Sequence, residues 1–352
     1  MGEWGKQPQL DPGNSDHNPK SIHDKRSFYE GLIVMTQNIY YGFTQYLGIF
    51  VSLLSALSFT CFDILIYYVG QRHHPVNILL MNFSVCLIFN IGILMAVRPK
   101  IPRTFQEILL LTLSGFLSGS GSVVLMTSII ITEPGNAVSL YFTLPLFVIV
   151  LSAIIHKAKP NIWTLAVAMI SVVGVIFIAK PSFLFSQPSL DKTMSNLGVL
   201  LALVAAFCHG LHVLIVQSLQ ERNTHNFYIV LSSSAQGLVE SLLLCIYFDR
   251  VSFKCSSEIA LKVVLSGVFQ FGGFSLLAFA IKIERPVIVT IVMTTEVVFT
   301  FLAQYVYLDL PISWQSIVGG ILIGTSCIAI KLIENCQERS QSDESAEPLM
   351  QE

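Results

Sequence analysis

Residues 48–65 read GIFVSLLSALSFTCFDIL, and residues 198–215 read GVLLALVAAFCHGLHVLI. Both segments begin with glycine, are mostly apolar, and together contain one Asp, Asp63, and no Glu, Lys or Arg. A helix needs about 20 mostly apolar residues to cross the hydrocarbon core of a bilayer. Each segment therefore predicts a transmembrane helix, and their alignment at an offset of 150 residues predicts an internal repeat.

The rest of the chain contains further apolar windows of the same length. Hydrophobic residues make up 53% of the 352 residues and charged residues only 12%, whereas a soluble domain has about 25% charged residues. The net charge of −2 offers no basic surface for a nucleic acid. We predict an all-α protein of the lipid bilayer with ten transmembrane helices, numbered as spans one to ten: 46–69, 76–98, 106–131, 135–156, 161–180, 196–218, 225–248, 258–281, 286–308 and 312–333.

Three further matches between the halves occur at nearly the same offset. They are the Leu-Ser-Gly triplets at 113–115 and 265–267, the glutamates Glu133 and Glu284, and the Pro-x-x-Trp motifs at 160–163 and 311–314. Each half then contains an odd number of spans, so the second copy is inverted in the bilayer relative to the first. The prediction is two inverted five-helix repeats, at 45–180 and 196–333.

The segments outside the repeats are more polar. Residues 1–44 form an N-terminal segment, in which the apolar residues of 27–44 recur with helical spacing. This pattern predicts a helix lying in the membrane interface, and a juxtamembrane linker without order is the alternative. We expect an outer linker at 181–195 and, because residues 334–352 are acidic and rich in serine, a disordered tail there.

The distribution of basic residues predicts the orientation. With the N-terminus inside, 14 of the 20 Lys and Arg residues lie in inner segments, five lie in outer loops, and Lys262 lies within a span. Inner loops of membrane proteins are enriched in Lys and Arg, so both termini are predicted to be cytoplasmic. This bias does not distinguish the Golgi, the endoplasmic reticulum and the plasma membrane.

The sequence offers no pattern for catalysis or for a cofactor. No two of the seven cysteines have metal-ligand spacing, and most lie in apolar runs, so we expect neither a metal site nor disulfides. No Ser/His/Asp set and no glycine-rich phosphate loop is evident. We predict a protein that is not an enzyme and that uses no cofactor.

Several segments carry a resemblance to a known family. They are KPSFLF at 180–185, GLVES at 237–241, the Gly272-Gly273 pair, Ile283-Glu284, and TTEVVFT at 294–300. Over about 45–333 the chain resembles the drug/metabolite transporter superfamily of EamA type, and within it the G branch of solute carrier family 35. The resemblance implies a carrier, and relatives in family 35 transport nucleotide sugars.

Charged and polar residues inside the spans are the candidate binding residues. A charge near the bilayer centre costs at least about 2.5–3.5 kcal/mol, so such residues are expected to face a cavity or a partner. We predict a shared polar cavity that binds a proton or a small-molecule solute. Its candidate residues are Glu296, Glu240, Asp63, Lys262, Gln270, Gln236, Thr300, Tyr141 and His209.

Structural alternatives stand beside three of these predictions. Lys262 could hold an anionic group of the solute, pair with a carboxylate as a structural contact, or extend to the outer surface. His209 and His212, three residues apart, could relay protons or be buried and bonded to a neighbour. The small residues of 115–119 and 316–324 are expected to pack helices within the monomer, with a homodimer as the alternative.

The function predicted from these observations is secondary transport. The solute would be a small polar or anionic organic molecule, of the metabolite or nucleotide-sugar class, moved by alternating access. The alternative is a membrane protein that does not transport and instead binds and regulates a partner. Carboxylates within spans seven and nine favour the carrier, because a scaffold has no need to bear their cost.

Overall fold

The structure, a computed structural model, is helical almost throughout. It describes residues 46–66, 68–69, 75–131, 134–157, 161–179, 192–248, 257–308 and 314–346. Within these ranges there is no β-strand, and ten segments are long and apolar enough to cross a membrane. The predicted all-α fold with ten spans is therefore confirmed. The predicted interfacial helix at 27–44 lies outside the described residues.

Twelve helices make up the described part of the chain. Eight spans are single helices, and spans four and nine each consist of two helices in sequence. In chain order the helices are α1 (Tyr46–Ile66), α2 (Pro75–Val97), α3 (Phe105–Ile131), α4 (Pro134–Tyr141), α5 (Leu144–His156), α6 (Ile162–Ala179), α7 (Lys192–Glu221), α8 (Asn226–Tyr247), α9 (Ser257–Ile283), α10 (Pro286–Met293), α11 (Thr295–Leu308) and α12 (Trp314–Ala346).

Local sequence explains where several helices begin and end. Pro75 and Pro286 are the first residues of α2 and α10, a position at which the missing N–H leaves no helical bond unmade. Arg98 and Lys157, which directly follow α2 and α5, have positive φ values of 47° and 51°. A left-handed residue after the last helical turn redirects the chain and ends the helix.

Spans four and nine are interrupted at equivalent threonines. Thr143 and Thr294, which are 151 residues apart, lie between α4 and α5 and between α10 and α11. The Thr143 hydroxyl donates to the Leu140 carbonyl at 2.7 Å, and the Thr294 hydroxyl donates to the Ile291 carbonyl, also at 2.7 Å. The sequence match between the halves thus extends to the same hydrogen bond at the same interruption.

Contacts between the spans follow the same repeat. Span two packs on span seven, and span five packs on span ten. In each of these pairs the two spans occupy equivalent positions in the two halves. Gly115 of span three lies against Ser232 of span seven, and Gly267 of span eight lies against Val85 of span two. These two contacts are equivalent, because spans three and seven of one contact correspond to spans eight and two of the other. A Cβ on either glycine would approach its neighbour within 2.5 Å, so the glycines permit the close approach of the helices.

The outer surface of the spans is apolar. Phe50, Trp163 and Ile321 are each at least 60% exposed. Such a surface is normal for lipid-facing helices, because the acyl chains are as apolar as the side chains. The protein is an integral, multi-pass membrane protein.

The end of the chain differs from the prediction. We expected disorder from residue 334, whereas α12 continues to Ala346. The polar stretch extends a helix that is already formed, and propagation of a helix costs far less than nucleation. Glu334 also bonds to Lys331 one turn earlier, at 2.7 Å. The charges that suggested a loose tail therefore begin inside an ordered helix.

Candidate functional site

Two carboxylates from different halves of the chain meet where span nine is interrupted. Glu296 lies in the first turn of α11, directly after the interruption at Thr294, and its side chain is within hydrogen-bonding reach of that of Asp63 on span one. Both residues are half-buried. A hydrogen bond between two carboxyl groups requires that one of them holds a proton. The pair is therefore a site at which a proton can bind.

Threonines bind span one to span nine around this pair. The Thr60 hydroxyl donates to the Ala56 carbonyl at 3.0 Å and approaches the Glu296 carbonyl at 3.4 Å. The Thr300 hydroxyl lies 3.5 Å from that of Thr60. The predicted polar face formed by Glu296 and Thr300 on span nine thus meets a polar face of span one, and the backbone near the interruption takes part.

Tyr141 of the first half and His209 of the second half form an aromatic wall near the pair. Tyr141, the last residue of α4, interacts electrostatically with both Glu296 and Asp63. Its ring packs edge-on against the ring of His209 on span six, with centroids 5.5 Å apart. His209 is buried, and its Nδ1 has no hydrogen-bond partner among the described residues. Tyr141 and His209 are therefore in contact, and the carboxylate pair lies within electrostatic range of the Tyr141 phenol.

Span five holds the interruption of span nine in place. The Ser171 hydroxyl donates to the Thr294 hydroxyl at 3.0 Å, and both residues are fully buried. The Thr294 hydroxyl in turn donates to the Ile291 carbonyl. The Ile291 carbonyl also accepts a hydrogen bond from the Thr294 backbone N–H at 3.2 Å, so it is satisfied inside the protein, as buried backbone groups in a membrane must be.

Glu240 lies in a second polar region between spans three and seven. Its carboxylate accepts a hydrogen bond from the Ser120 hydroxyl at 3.1 Å and lies against Gly119. Gln236, one turn earlier on the same helix, is half-buried. Glu240 thus contacts Gly119 and Ser120, which are next to Gly121, the glycine that lies against His209. The single shared cavity stays a prediction.

Span eight contributes less to the site than expected. The Lys262 ammonium donates to the Glu258 carboxylate at 2.7 Å, one turn away, and lies 5.2 Å from the centre of the Tyr68 ring. These contacts favour the structural alternative for Lys262. Gln270 is buried, and its side-chain oxygen has no partner among the described residues. Ser266, one turn before Gln270, instead donates to the Asn82 side chain.

A buried ion network joins the start of span nine to span ten, and the sequence analysis missed it. The Lys331 ammonium lies 2.9 Å from the Glu284 carboxylate and 2.7 Å from that of Glu334. These three side chains are at most 9% exposed. Burial raises the pKa of Glu284, and the hydrogen bond from Lys331 opposes that shift. The available signal was the spacing of Lys331 and Glu334, which places both charges on one helical face.

No group of three or more side chains in the described ranges is arranged to hold a metal ion. The chemistry of the site consists instead of carboxyl, hydroxyl, phenol and imidazole groups around an interrupted helix. Such groups bind protons and polar solutes through hydrogen bonds. Discontinuous helices near the middle of the membrane are where many secondary transporters bind their substrates.

Comparison with known proteins agrees with this architecture. The chain is 25% identical over 291 residues to solute carrier family 35 member G1 of Homo sapiens, and 23% identical over 283 residues to the Mus musculus protein. Each alignment covers 80% of this chain and 77% of the relative. A protein of known crystal structure matches the fold with a TM-score of 0.69 at 15% identity, over 84% of this chain and 98% of that one.

The family comparison covers both halves of the chain. The sequence model of the EamA-like transporter family matches residues 46–180 and, separately, residues 196–332. These two ranges contain nine of the spans, span ten up to residue 332, and every residue of the carboxylate pair and its aromatic wall. The chain therefore belongs to the EamA-like transporter family.

Proposed function

We propose that this protein is a secondary transporter of a small polar or anionic organic solute, of the metabolite or nucleotide-sugar class. The observation that supports the proposal most is the contact between Asp63 and Glu296 at the interruption of span nine. Two carboxyl groups at this depth are costly, and a binding function explains why both are present. The relatives named above are themselves called solute carriers.

Alternating access follows from the repeat. The two halves, 45–180 and 196–333, contain equivalent interruptions at Thr143 and Thr294. Two similar halves in opposite orientations can exchange conformations, which opens a shared site to one side and then to the other. We place 1–44 and 334–352 outside the moving halves and, from the excess of Lys and Arg, on the cytoplasmic side.

The ion network around Lys331 fits one stage of this cycle. It connects the link between spans eight and nine, at Glu284, to span ten. Glu284 also lies against Gly48 near the start of span one, where an added Cβ would approach within 2.6 Å. These contacts close the side of the protein on which span one begins. Opening that side to release a solute would require them to separate.

The charge of the central site connects the solute to protons. With both carboxyl groups ionised, the site would repel an anion in a region where water screens charges poorly. Protonation of the pair removes this repulsion. An anionic solute would therefore enter together with one or more protons, which makes the transporter a proton symporter for such a solute.

Reconstitution into liposomes tests the proposal. The purified protein is placed in vesicles containing a pH-sensitive dye, and radiolabelled UDP-glucose, succinate and lactate are supplied with and without an inward proton gradient. We expect uptake of at least one probe to be stimulated by the gradient and to acidify the lumen. Glu296→Gln should abolish both signals, whereas Glu221→Gln, at an exposed carboxylate, should leave them unchanged.

Two results would count against the proposal. If Glu296→Gln transports normally with the same dependence on pH, Glu296 neither binds the solute nor couples the proton. If no flux depends on the protein for a broad panel of solutes, the alternative of a membrane protein that binds and regulates a partner is favoured. A Glu296→Gln variant that fails to fold would assign the pair a structural role instead.

A further inference from the structure

The two halves contain an equivalent contact between a ring and a glycine, but the rings differ. His209 of span six packs on Gly121 of span three, where an added Cβ would lie 2.7 Å from the ring. Phe59 of span one packs on Gly273 of span eight, where it would lie 2.9 Å from the ring. The residues within each pair of equivalents are 150 and 152 residues apart, which are the offsets of the sequence repeat.

This comparison separates packing from chemistry at the position of His209. Phe59 shows that an apolar ring fills the space beside the glycine in the other half. The histidine adds two ring nitrogens, and Nδ1 is enclosed without a hydrogen-bond partner among the described residues. The carbonyls of Ala205 and Ser118 are close to the ring but do not bond to Nδ1. An unsatisfied buried polar group is destabilising, so packing alone does not explain the residue.

The neighbouring histidine on the same helix provides a contrast. Nδ1 of His212 lies 3.1 Å from the Ser114 hydroxyl and 3.0 Å from the Ser114 carbonyl. His212 aligns with Phe62 of the first half, as His209 aligns with Phe59. Span six therefore has one histidine whose Nδ1 binds within the protein and one whose Nδ1 has no partner among the described residues. The Nδ1 of His209 is thus left with hydrogen-bonding capacity for something else.

The position of His209 indicates which group could bind to its Nδ1. Its ring is in edge contact with that of Tyr141, and Tyr141 interacts with Asp63 and Glu296. His209 is therefore in contact with a residue whose phenol lies within electrostatic range of the carboxylate pair. A neutral imidazole presents one donor and one acceptor, which complements a hydroxyl or a protonated carboxyl group. Such a group is what an organic acid would present after entering with a proton.

We infer that His209 is a solute-binding residue, whose imidazole forms a hydrogen bond with a hydroxyl or carboxyl oxygen of the transported solute. The inference rests on the proposed transport function and specifies one polar group that the solute must have. In it, Asp63 and Glu296 bind the proton, and His209 of the second half, together with Tyr141 of the first half, contacts the solute. The site is thereby divided between the two halves.

The repeat itself supplies the test variant, His209→Phe, which places the equivalent residue of the first half at this position. We expect it to unfold in detergent at the same temperature as the wild type or higher, because an unsatisfied group is removed. Uptake of whichever of UDP-glucose, succinate and lactate the wild type transports should fall at least tenfold. His209→Asn, whose amide can replace the Nδ1 hydrogen bond, should retain more uptake than His209→Phe.

His212→Phe is the matched control, because it makes the same substitution at a histidine with partners. It should lower the unfolding temperature, since it leaves the buried Ser114 hydroxyl without its bond. A comparable loss of stability in His209→Phe would overturn the inference by assigning the residue a structural role. Full uptake by His209→Phe would also overturn it, while leaving the transport function intact.

Failure of the proposed function has a different signature. In that case the wild type would show no uptake of any probe, and solute binding is measured instead as the shift that each probe causes in the unfolding temperature. A shift in the wild type that His209→Phe abolishes supports the binding role without transport. An equal shift in both proteins, or no shift in either, overturns it.

Discussion

The interruptions of spans four and nine have the same backbone and different side chains. In both, a threonine hydroxyl bonds to the carbonyl three residues earlier, and a new helix begins at the next residue. In span four Pro145 follows at the second helical position, whereas in span nine the equivalent position is Glu296. The repeat thus preserves the geometry that interrupts a helix in the membrane, while only the second half has placed a carboxylate there.

The partners of the two interruptions differ in the same way. Span nine meets Asp63 of span one, whereas the residue equivalent to Asp63 in span six is Val213. Span four meets His209 of span six, whereas the equivalent residue in span one is Phe59. Protonatable acids are therefore concentrated at one interruption and aromatic and imidazole groups at the other. A symmetric frame can alternate between conformations, but a site that distinguishes one solute has to be asymmetric.

The largest expected effect concerns the buried ion network, which belongs to the second half. Lys331→Met leaves Glu284 buried without its cationic partner, while Glu334 keeps only Arg285, whose Nε lies 3.4 Å from its carboxylate. Removing one member of a buried ion pair typically costs about 3–5 kcal/mol, and unfolding by detergent titration would measure it. Lys282→Met, at an exposed lysine near the same link, should change stability little. Equal stability of the two variants would contradict a structural contribution of the network.

The ring–glycine contacts allow a direct comparison of the halves. Gly121→Ala and Gly273→Ala should each destabilise the protein by about 1–3 kcal/mol, because overpacking forces neighbouring groups to move. The added methyl groups would lie within 2.9 Å of the ring atoms of His209 and Phe59, respectively. Thermal unfolding of both variants measures the effect. Gly92→Ala, where an added Cβ meets nothing within 4 Å, is the matched control and should be neutral.

The threonines at the interruptions are expected to differ in importance. Thr294→Val removes a bond to the backbone and strands the buried Ser171 hydroxyl, whereas Thr143→Val removes one bond at a half-buried residue. We expect losses of about 1–3 kcal/mol for the first and about 0.5–1.5 kcal/mol for the second. Unfolding in detergent compares them. A larger loss at Thr143 would mean that the interruption of span four is the more constrained of the two.

The smallest effect is expected at Lys262, which contrasts with Lys331. Its bond to Glu258 spans one helical turn and is partly exposed, and such pairs contribute about 0.3–0.5 kcal/mol. Lys262→Met should therefore leave both stability and uptake nearly unchanged. The two are measured by thermal unfolding and by the liposome assay. A large loss of uptake with normal stability would return Lys262 to the solute-binding site.

Much of this architecture could be predicted from the sequence because the bilayer is a uniform solvent. A single transmembrane segment can satisfy all its backbone hydrogen bonds in lipid only as a helix. The lengths of the apolar segments therefore predict ten spans, and the matching segments predict two repeats. Asp63 and Glu296 could be singled out for the same reason, since a carboxylate within a span is conspicuous against apolar neighbours. Pro145, in the middle of span four, is of a residue type that removes a helical hydrogen bond.

Which of these residues meet was decided only by tertiary structure. Asp63 and Glu296 are 233 positions apart, and helical periodicity gives the face of a residue but not the helix that packs against it. The interruption of span nine has no proline to announce it, and Lys262 and Lys331 look alike in the sequence although one is paired at an exposed turn and the other is buried between two carboxylates. The sequence determines which segments cross the bilayer and which polar residues they contain. Contacts between spans determine which of those polar groups have hydrogen-bond partners and which, like Nδ1 of His209, do not.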